Sequence, residues 1–102
     1  MDVSQYLEIF LDESNEHLQS LSDQLMILEK EPENTKALFY LSIAYMDISR
    51  YNEAIEIIDK LIKIEPDNAL AYKNRALIKY SQNRDKEAMA DYKLFVKLSQ
   101  KD

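Results

Sequence analysis

The 102-residue chain contains no glycine, no cysteine and no tryptophan, and it has only two prolines and one histidine. Without glycine it cannot form a Gly-rich phosphate loop or a dinucleotide-binding fingerprint. Without cysteine it has no disulfide, no thiolate nucleophile and no thiolate zinc ligand. These absences argue against an enzyme, and we expect no catalytic residue, no cofactor and no metal.

Long hydrophobic runs are missing as well. No segment approaches the roughly 18 apolar residues that a membrane span requires, and no basic start precedes an apolar block and a cleavage site. Hydrophobic residues make up 46% of the chain and charged residues 31%, which is typical of a soluble globular protein. We therefore expect a cytoplasmic protein that does not enter a membrane.

The charge is distributed unevenly along the chain. Residues 1–34 contain nine acidic residues and one basic residue, for a net charge of −8. Residues 35–102 contain ten acidic and twelve basic residues, for a net charge of +2. The acidic segment would repel a phosphate backbone and no dense basic patch compensates, so we expect no nucleic-acid partner. A solvated helix face is the commoner explanation of such a segment, and attraction to the basic body is the alternative.

A repeat of 34 residues organises the rest of the chain. Ala37 recurs as Ala71 and Ala54 as Ala88. The first copy carries large apolar, small and proline residues in the order of the tetratricopeptide pattern, at Leu38, Leu41, Ser42, Tyr45, Ala54, Ile58 and Pro66. The chain resembles a tetratricopeptide repeat (TPR) protein, and the resemblance implies a binding protein built from helical hairpins.

The spacing predicts helices near residues 35–48, 51–64, 69–82 and 85–99, with a tight turn at Ser49 and Arg50. Residues 2–30 lack proline and glycine and place leucines at alternating intervals of four and three, with only Ser14 interrupting the stripe, which predicts one long helix. The fold class is therefore all-α, an antiparallel array of about five helices. We expect one structural domain made of a long acidic helix (1–34), a first repeat (35–68) and a second repeat (69–102).

The second repeat departs from the TPR pattern at three positions. Arg75 replaces Leu41, Lys79 replaces Tyr45, and Gln100 replaces Pro66. The aliphatic stem of an arginine can still cover apolar surface. The three departures therefore weaken the match of the second copy to the TPR pattern, but the second copy is still expected to form a repeat.

The TPR resemblance implies that the first helix of each repeat lines a concave groove. The residues expected to line it are Phe39, Ile43, Met46, Asp47, Leu70, Lys73, Leu77 and Tyr80. Phe39 and Ile43 stand where carboxylate-clamping TPR domains have Lys and Asn, so that clamp is absent. The mostly apolar lining favours a protein or peptide partner such as an amphipathic helix. The alternative is that the opening helix of the chain covers the groove.

The opening 34 residues resemble the first helix of the histidine phosphotransfer domain of CheA-type chemotaxis kinases. That family phosphorylates a histidine on a second helix, and this chain lacks the corresponding motif, so no functional residue is transferred. Glu13, Glu16 and His17 share a helix face, but we expect no metal there. A signalling domain and a recombined or engineered scaffold without its own function remain alternatives, and the join is either natural reuse of a helix or a fusion.

Both ends of the array carry apolar residues that their own repeat does not cover, which predicts self-association as a homodimer. The residues expected to mediate it are Tyr6, Phe10, Met89, Tyr92 and Phe95. A monomer with a folded-back opening helix, or a fragment of a longer array, is the competing hypothesis.

Overall fold

The computed structural model describes residues 19–100, which consist of helices and short turns without a strand. Helix α1 covers residues 19–30 within this part of the chain. It is followed by α2 (Thr35–Asp47), α3 (Tyr51–Ile64), α4 (Ala69–Ser81) and α5 (Asp85–Ser99). The all-α prediction is confirmed, and the predicted helix limits agree with the observed ones to within one residue. The first half of the predicted opening helix lies outside the described residues.

The two connections between hairpins have the same local structure because the same four-residue sequence pattern builds both. The side chain of Asn34 accepts a hydrogen bond from the backbone N–H of Ala37 at 2.9 Å, and Asn68 accepts one from Ala71 at 3.1 Å. Each asparagine side chain thereby caps the first turn of a helix by accepting from one of its N-terminal amides. Proline two residues before each cap prevents the preceding helix from continuing.

The turns inside the two hairpins require a left-handed backbone in a chain without glycine. Ser49 and Asn83 occupy equivalent positions and both have a φ of 62°. Backbone amides then bond back into the preceding helix, with Arg50 N donating to Tyr45 O at 2.8 Å and Arg84 N to Lys79 O at 2.9 Å. The predicted turn at Ser49 and Arg50 is present, but its left-handed conformation was not predicted.

A single apolar cluster joins α2, α3 and α4. Its fully buried members are Leu38, Ala54, Ile58, Leu61, Ala71 and Ile78. Small residues lie where helices cross, and Ser42 and Ala54 are completely buried there, as close approach of two backbones requires. Helix α5 packs on α4 and contacts neither α2 nor α3. The helices therefore stack in chain order, and α5 is at one end of the described array.

Within residues 19–100, no helix combines the length and the apolar character that crossing a membrane demands.

Candidate functional site

An open apolar groove of about 410 Å³ lies between the last two helices. Its wall on α4 is formed by Lys73, Ala76, Leu77 and Tyr80, and its wall on α5 by Asp85, Ala88, Met89 and Tyr92. We call it the α4–α5 groove. Four large side chains around it are unusually exposed, at 47% for Leu77, 68% for Tyr80, 54% for Met89 and 49% for Tyr92.

Helical periodicity and two alanines create this groove. Lys73, Leu77 and Tyr80 are spaced by four and three residues, so they project from one face of α4. Ala76 and Ala88 form the floor and are each 6% exposed. Because both are small, the two helices approach closely, and the longer side chains rise on either side.

The equivalent surface of the first hairpin is covered. Ala54 and Ile58 correspond to Ala88 and Tyr92 in the 34-residue register, and both are completely buried. They belong to the apolar cluster that also contains Ala71 and Ile78 of α4. The α4–α5 groove is thus equivalent to the surface of the first hairpin that α4 covers. No helix of residues 19–100 covers the α4–α5 groove itself.

A second, smaller groove of about 280 Å³ lies between the N-terminal ends of α2 and α4. Phe39 and Tyr40 contribute from α2, and Leu70 contributes from α4 with 53% exposure. The rings of Phe39 and Tyr40 meet edge to face with centroids 5.7 Å apart. We call this the α2–α4 groove. It is more polar than the α4–α5 groove because most of its lining residues are polar or charged, namely Thr35, Lys36, Glu65 and Asn68.

The predicted binding residues are divided between these two grooves. The α2–α4 groove contains Phe39 and Leu70, and the α4–α5 groove contains Lys73, Leu77 and Tyr80. Met46 is half-buried and packs against the apolar cluster, Ile43 is half-buried, and Asp47 is exposed. None of Ile43, Met46 and Asp47 lines either of these two grooves.

Two of the predicted self-association residues, Met89 and Tyr92, lie in the same groove as Leu77 and Tyr80. Phe95 is half-buried, its ring centroid lies 5.6 Å from that of Tyr92, and the Lys73 ammonium lies 5.4 Å above it. The sequence prediction treated these as separate surfaces, whereas the structure joins them. The other predicted contacts, Tyr6 and Phe10, lie outside the described residues.

The metal candidates considered in the sequence, Glu13, Glu16 and His17, also lie outside the described residues. In the part of the chain from residue 19 to residue 100, no group of three or more His, Cys, Asp or Glu side chains is arranged to hold a metal ion.

A charged cluster that the sequence analysis did not predict lies between α4 and α5. Asp91, only 3% exposed, receives two hydrogen bonds from the Arg75 guanidinium, at 2.7 and 2.9 Å. The Lys79 ammonium lies 2.9 Å from the same carboxylate. Arg75 also contacts Asp59 of α3 at 2.9 Å, so the cluster ties three helices together.

The surroundings of Asp91 act on its pKa in opposite directions. Burial raises the pKa because it disfavours the charged carboxylate, but hydrogen bonds from Arg75 and Lys79 outweigh that effect. The net result is a pKa of Asp91 below its ordinary value. The hydrogen bond to Asp91 also raises the pKa of Arg75 above its already high ordinary value. Asp91 and Arg75 are therefore both ionised at neutral pH, and their paired charges serve structure.

Comparison with known proteins gives partial matches to two sequence relatives. The chemotaxis protein CheA of Bacillus subtilis (strain 168) is 56% identical over 32 residues, which cover 31% of this chain and 5% of that protein. DnaJ protein P58IPK homolog A of Oryza sativa subsp. japonica is 26% identical over 70 residues, covering 69% of this chain and 15% of that protein. This chain thus spans a small part of its sequence relatives.

Among solved structures, MamA from Desulfovibrio magneticus RS-1 superimposes with a TM-score of 0.79 at 16% identity. The superposition covers 93% of this chain and 54% of the solved MamA chain, which extends from residue 41 to the end, and at this identity it supports the fold alone.

The family model of the Fis1 C-terminal tetratricopeptide repeat matches residues 35–85, the segment that contains α2, α3 and α4. The matched segment is half of the chain, and it contains the small buried residues at the helix crossings and the stacked helices described above. This chain therefore belongs to the Fis1 C-terminal tetratricopeptide repeat family.

Proposed function

We propose that this chain is a protein–protein interaction module that holds a peptide or an amphipathic helix in its apolar grooves. Membership of a TPR family supports a protein-binding role in general. The observation that carries the specific proposal is the ring of four exposed apolar side chains, Leu77, Tyr80, Met89 and Tyr92, around the α4–α5 groove. Exposed side chains of this size grouped around a concave surface are typical of interaction sites.

The chemistry of the groove favours a helix with an apolar face. Its floor of Ala76 and Ala88 accepts a projecting side chain, and the flanking aromatic rings of Tyr80 and Tyr92 offer broad apolar contact with a hydroxyl at the rim. Burying apolar surface contributes about 25 cal/mol per Å², so exclusion of water from these side chains supplies the affinity. Lys73 and Asp85 add one charge of each sign to the lining and would orient the ligand.

The α2–α4 groove extends the proposal to the rest of the predicted lining. Phe39 and Leu70 offer apolar contact at the N-terminal ends of α2 and α4, beside the charged side chains of Lys36 and Glu65. A ligand that runs along α4 would contact Leu70, Lys73 and Leu77 in succession. Ile43, Met46 and Asp47 lie on the same face of α2 as Phe39 by helical spacing and remain part of the proposed surface.

Affinity capture from a cell lysate with three versions of the chain tests this proposal. The wild type is compared with Leu77→Glu, which places a charge in the α4–α5 groove, and with Leu94→Glu, which places the same charge at a 40% exposed position outside both grooves. We expect one or more proteins to bind the wild type and Leu94→Glu but not Leu77→Glu. Loss of the same proteins from both variants would contradict the assignment of the groove.

We also propose self-association through the end of the array that carries α5. Exposure of Met89 and Tyr92, together with the aromatic contact between Tyr92 and Phe95, supports this proposal. Tyr6 and Phe10 would supply the opposite surface, and a two-fold homodimer would bury both ends. Light scattering at high micromolar concentration should give a dimer that Phe95→Glu or Phe10→Glu dissociates, whereas a persistent monomer would exclude it.

A further inference from the structure

We propose that residues 4–15 of a second copy of this chain occupy the α4–α5 groove, in the register that α4 occupies on α3. The inference rests on the self-association proposed above and identifies the segment that mediates it. It follows from the internal repeat, because the structure contains one helix already seated on the equivalent surface of the preceding hairpin.

Helix α4 contacts α3 through a stripe of residues spaced by four, three and four. Ala71 and Ile78 of this stripe pack into the buried cluster with Ala54 and Ile58. Between them, Arg75 pairs with Asp59 of α3 at 2.9 Å.

At the end of the same stripe, the side-chain amide of Gln82 donates a hydrogen bond to the Asn52 carbonyl oxygen at 3.1 Å. We call the surface of α3 that α4 contacts the seat. A helix that occupies it carries, in order, a small residue, a partner for the residue at position 59, a large aliphatic residue and a polar partner for the residue at position 52.

One repeat later, the apolar character of the seat is retained and its polar chemistry is altered. Ala88 takes the place of Ala54, and Tyr92 takes the place of Ile58. Lys93 takes the place of Asp59, and Lys86 takes the place of Asn52; both lysines are exposed. A helix in this seat must therefore carry an acid where α4 carries Arg75, and an oxygen acceptor where α4 carries Gln82.

The sequence contains one segment with these features. Such a segment has Ala, Ser or Thr at its first position, Asp or Glu four residues later, and Leu, Ile, Val or Met seven residues later. In all 102 residues only Ser4, Glu8 and Leu11 satisfy this pattern. Asn15, four residues further on, supplies the amide oxygen expected opposite Lys86.

The electrostatics of the whole segment agree with this assignment. Residues 1–18 contain five acidic side chains and no lysine or arginine, whereas residues 35–102 carry a net charge of +2. Opposite charges on the two surfaces favour their encounter and disfavour like-on-like pairing of two α5 faces.

A charge-swap cycle measured by sedimentation equilibrium tests the pairing of Glu8 with Lys93. Glu8→Lys and Lys93→Glu should each weaken the dimer about three- to tenfold, because an exposed attraction becomes a repulsion. The double variant restores an opposite-charge pair and should return the dissociation constant to about that of the wild type. Circular dichroism of each variant establishes that the helices are retained.

Matched controls make the same charge changes elsewhere. Asp23 on α1 and Lys60 on α3 are exposed, and both lie outside the two grooves and outside residues 4–15. Asp23→Lys and Lys60→Glu should leave the dimer almost unchanged. Equal weakening by Glu8→Lys and Asp23→Lys would show that net charge alone causes the effect, and would overturn the register.

The outcomes separate this inference from the self-association on which it rests. A dimer in which the double variant is no tighter than the weaker single variant leaves self-association standing and refutes the proposed segment. A chain that stays monomeric refutes both proposals. A monomer whose urea midpoint follows the same charge-swap cycle would show that the segment docks within its own chain, which contradicts the second copy as occupant.

Discussion

Removing the carboxylate of Asp91 should destabilise the fold more than any change to an exposed charge. In Asp91→Ala the guanidinium of Arg75 and the ammonium of Lys79 lose their shared partner, while both side chains remain largely covered at 20% and 14% exposure. Breaking a buried pair by removing one partner typically costs about 3–5 kcal/mol. A domain of this size has a total stability of about 5–15 kcal/mol, so the loss is a large part of it.

Urea denaturation followed by circular dichroism measures this loss. With an m-value of about 1.5 kcal/mol/M, a loss of 3 kcal/mol lowers the midpoint by about 2 M. The control is Glu87→Ala, which breaks an exposed pair with Arg84 on the same helix and should shift the midpoint little. Equal midpoints for Asp91→Ala and Glu87→Ala would refute the structural role assigned to Asp91.

A triple variant separates the contribution of the charged cluster to folding stability from the cost of leaving two of its charges unpaired. Arg75→Leu, Lys79→Tyr and Asp91→Ile place in the second hairpin the residues that the first hairpin has at equivalent positions. Replacement of a buried ion cluster by apolar side chains is often neutral or stabilising by about 1–4 kcal/mol. We expect a midpoint at or above that of the wild type, and a triple variant as unstable as Asp91→Ala would contradict this explanation.

Four further predictions concern stability. Because the pKa of Asp91 is lowered in the folded state, the contribution of its charge to folding stability is complete above about pH 3.9 and is lost as the pH falls through the folded pKa. The difference in urea midpoint between wild type and Asp91→Ala should therefore shrink as the pH falls through that range. A constant difference down to about pH 2 would contradict this prediction. Ala54→Leu and Ala88→Leu should each cost about 1–3 kcal/mol in urea unfolding by overpacking the helix crossings, and unchanged midpoints for both would count against those crossings. Ser49→Gly should raise the free energy of unfolding by about 1 kcal/mol because glycine accepts positive φ. Asn83→Gly should raise it by less, because asparagine already tolerates positive φ. A lower free energy of unfolding in both variants would argue against the left-handed turns. The whole chain should unfold in one transition as a single domain, so two separated transitions in calorimetry would contradict that organisation.

Most of the helical framework could be predicted because local signals repeat every 34 residues. Asparagine after a Pro-containing turn predicts a helix start, and the caps of Asn34 and Asn68 are present. Small residues of the repeat pattern are expected where helices approach closely, and Ser42 and Ala54 are buried at such crossings. The left-handed turns were missed because serine and asparagine do not require that conformation as glycine would.

The charged cluster could have been found from the sequence but was not. Arg75 and Lys79 were identified as departures from an apolar pattern, yet the carboxylate that neutralises them was not sought. The signal was Asp91, which replaces Ile57 in the same register. Two basic residues and one acidic residue replacing three apolar ones within one repeat predict mutual pairing, since isolated buried charges are costly.

The arrangement of the candidate site was harder to predict, because it depends on how α5 crosses α4. Periodicity places Leu77 and Tyr80 on one face of α4, and it places Met89 and Tyr92 on one face of α5. Only the three-dimensional packing on Ala76 and Ala88 brings these two faces together in one groove. Residue spacing within one helix carries no information about the angle at which α5 crosses α4.

Site-specific photo-crosslinking tests the central claim most directly, because it reports contact with the α4–α5 groove in the folded chain. A photoreactive phenylalanine derivative replaces Tyr80, which is 68% exposed in the groove, or Leu94, which is exposed outside it. After irradiation in lysate, we expect position 80 to form a discrete crosslinked protein band that Leu77→Glu abolishes, and position 94 to form none. Equal crosslinking from both positions, or a band at position 80 that persists in Leu77→Glu, would contradict binding in this groove.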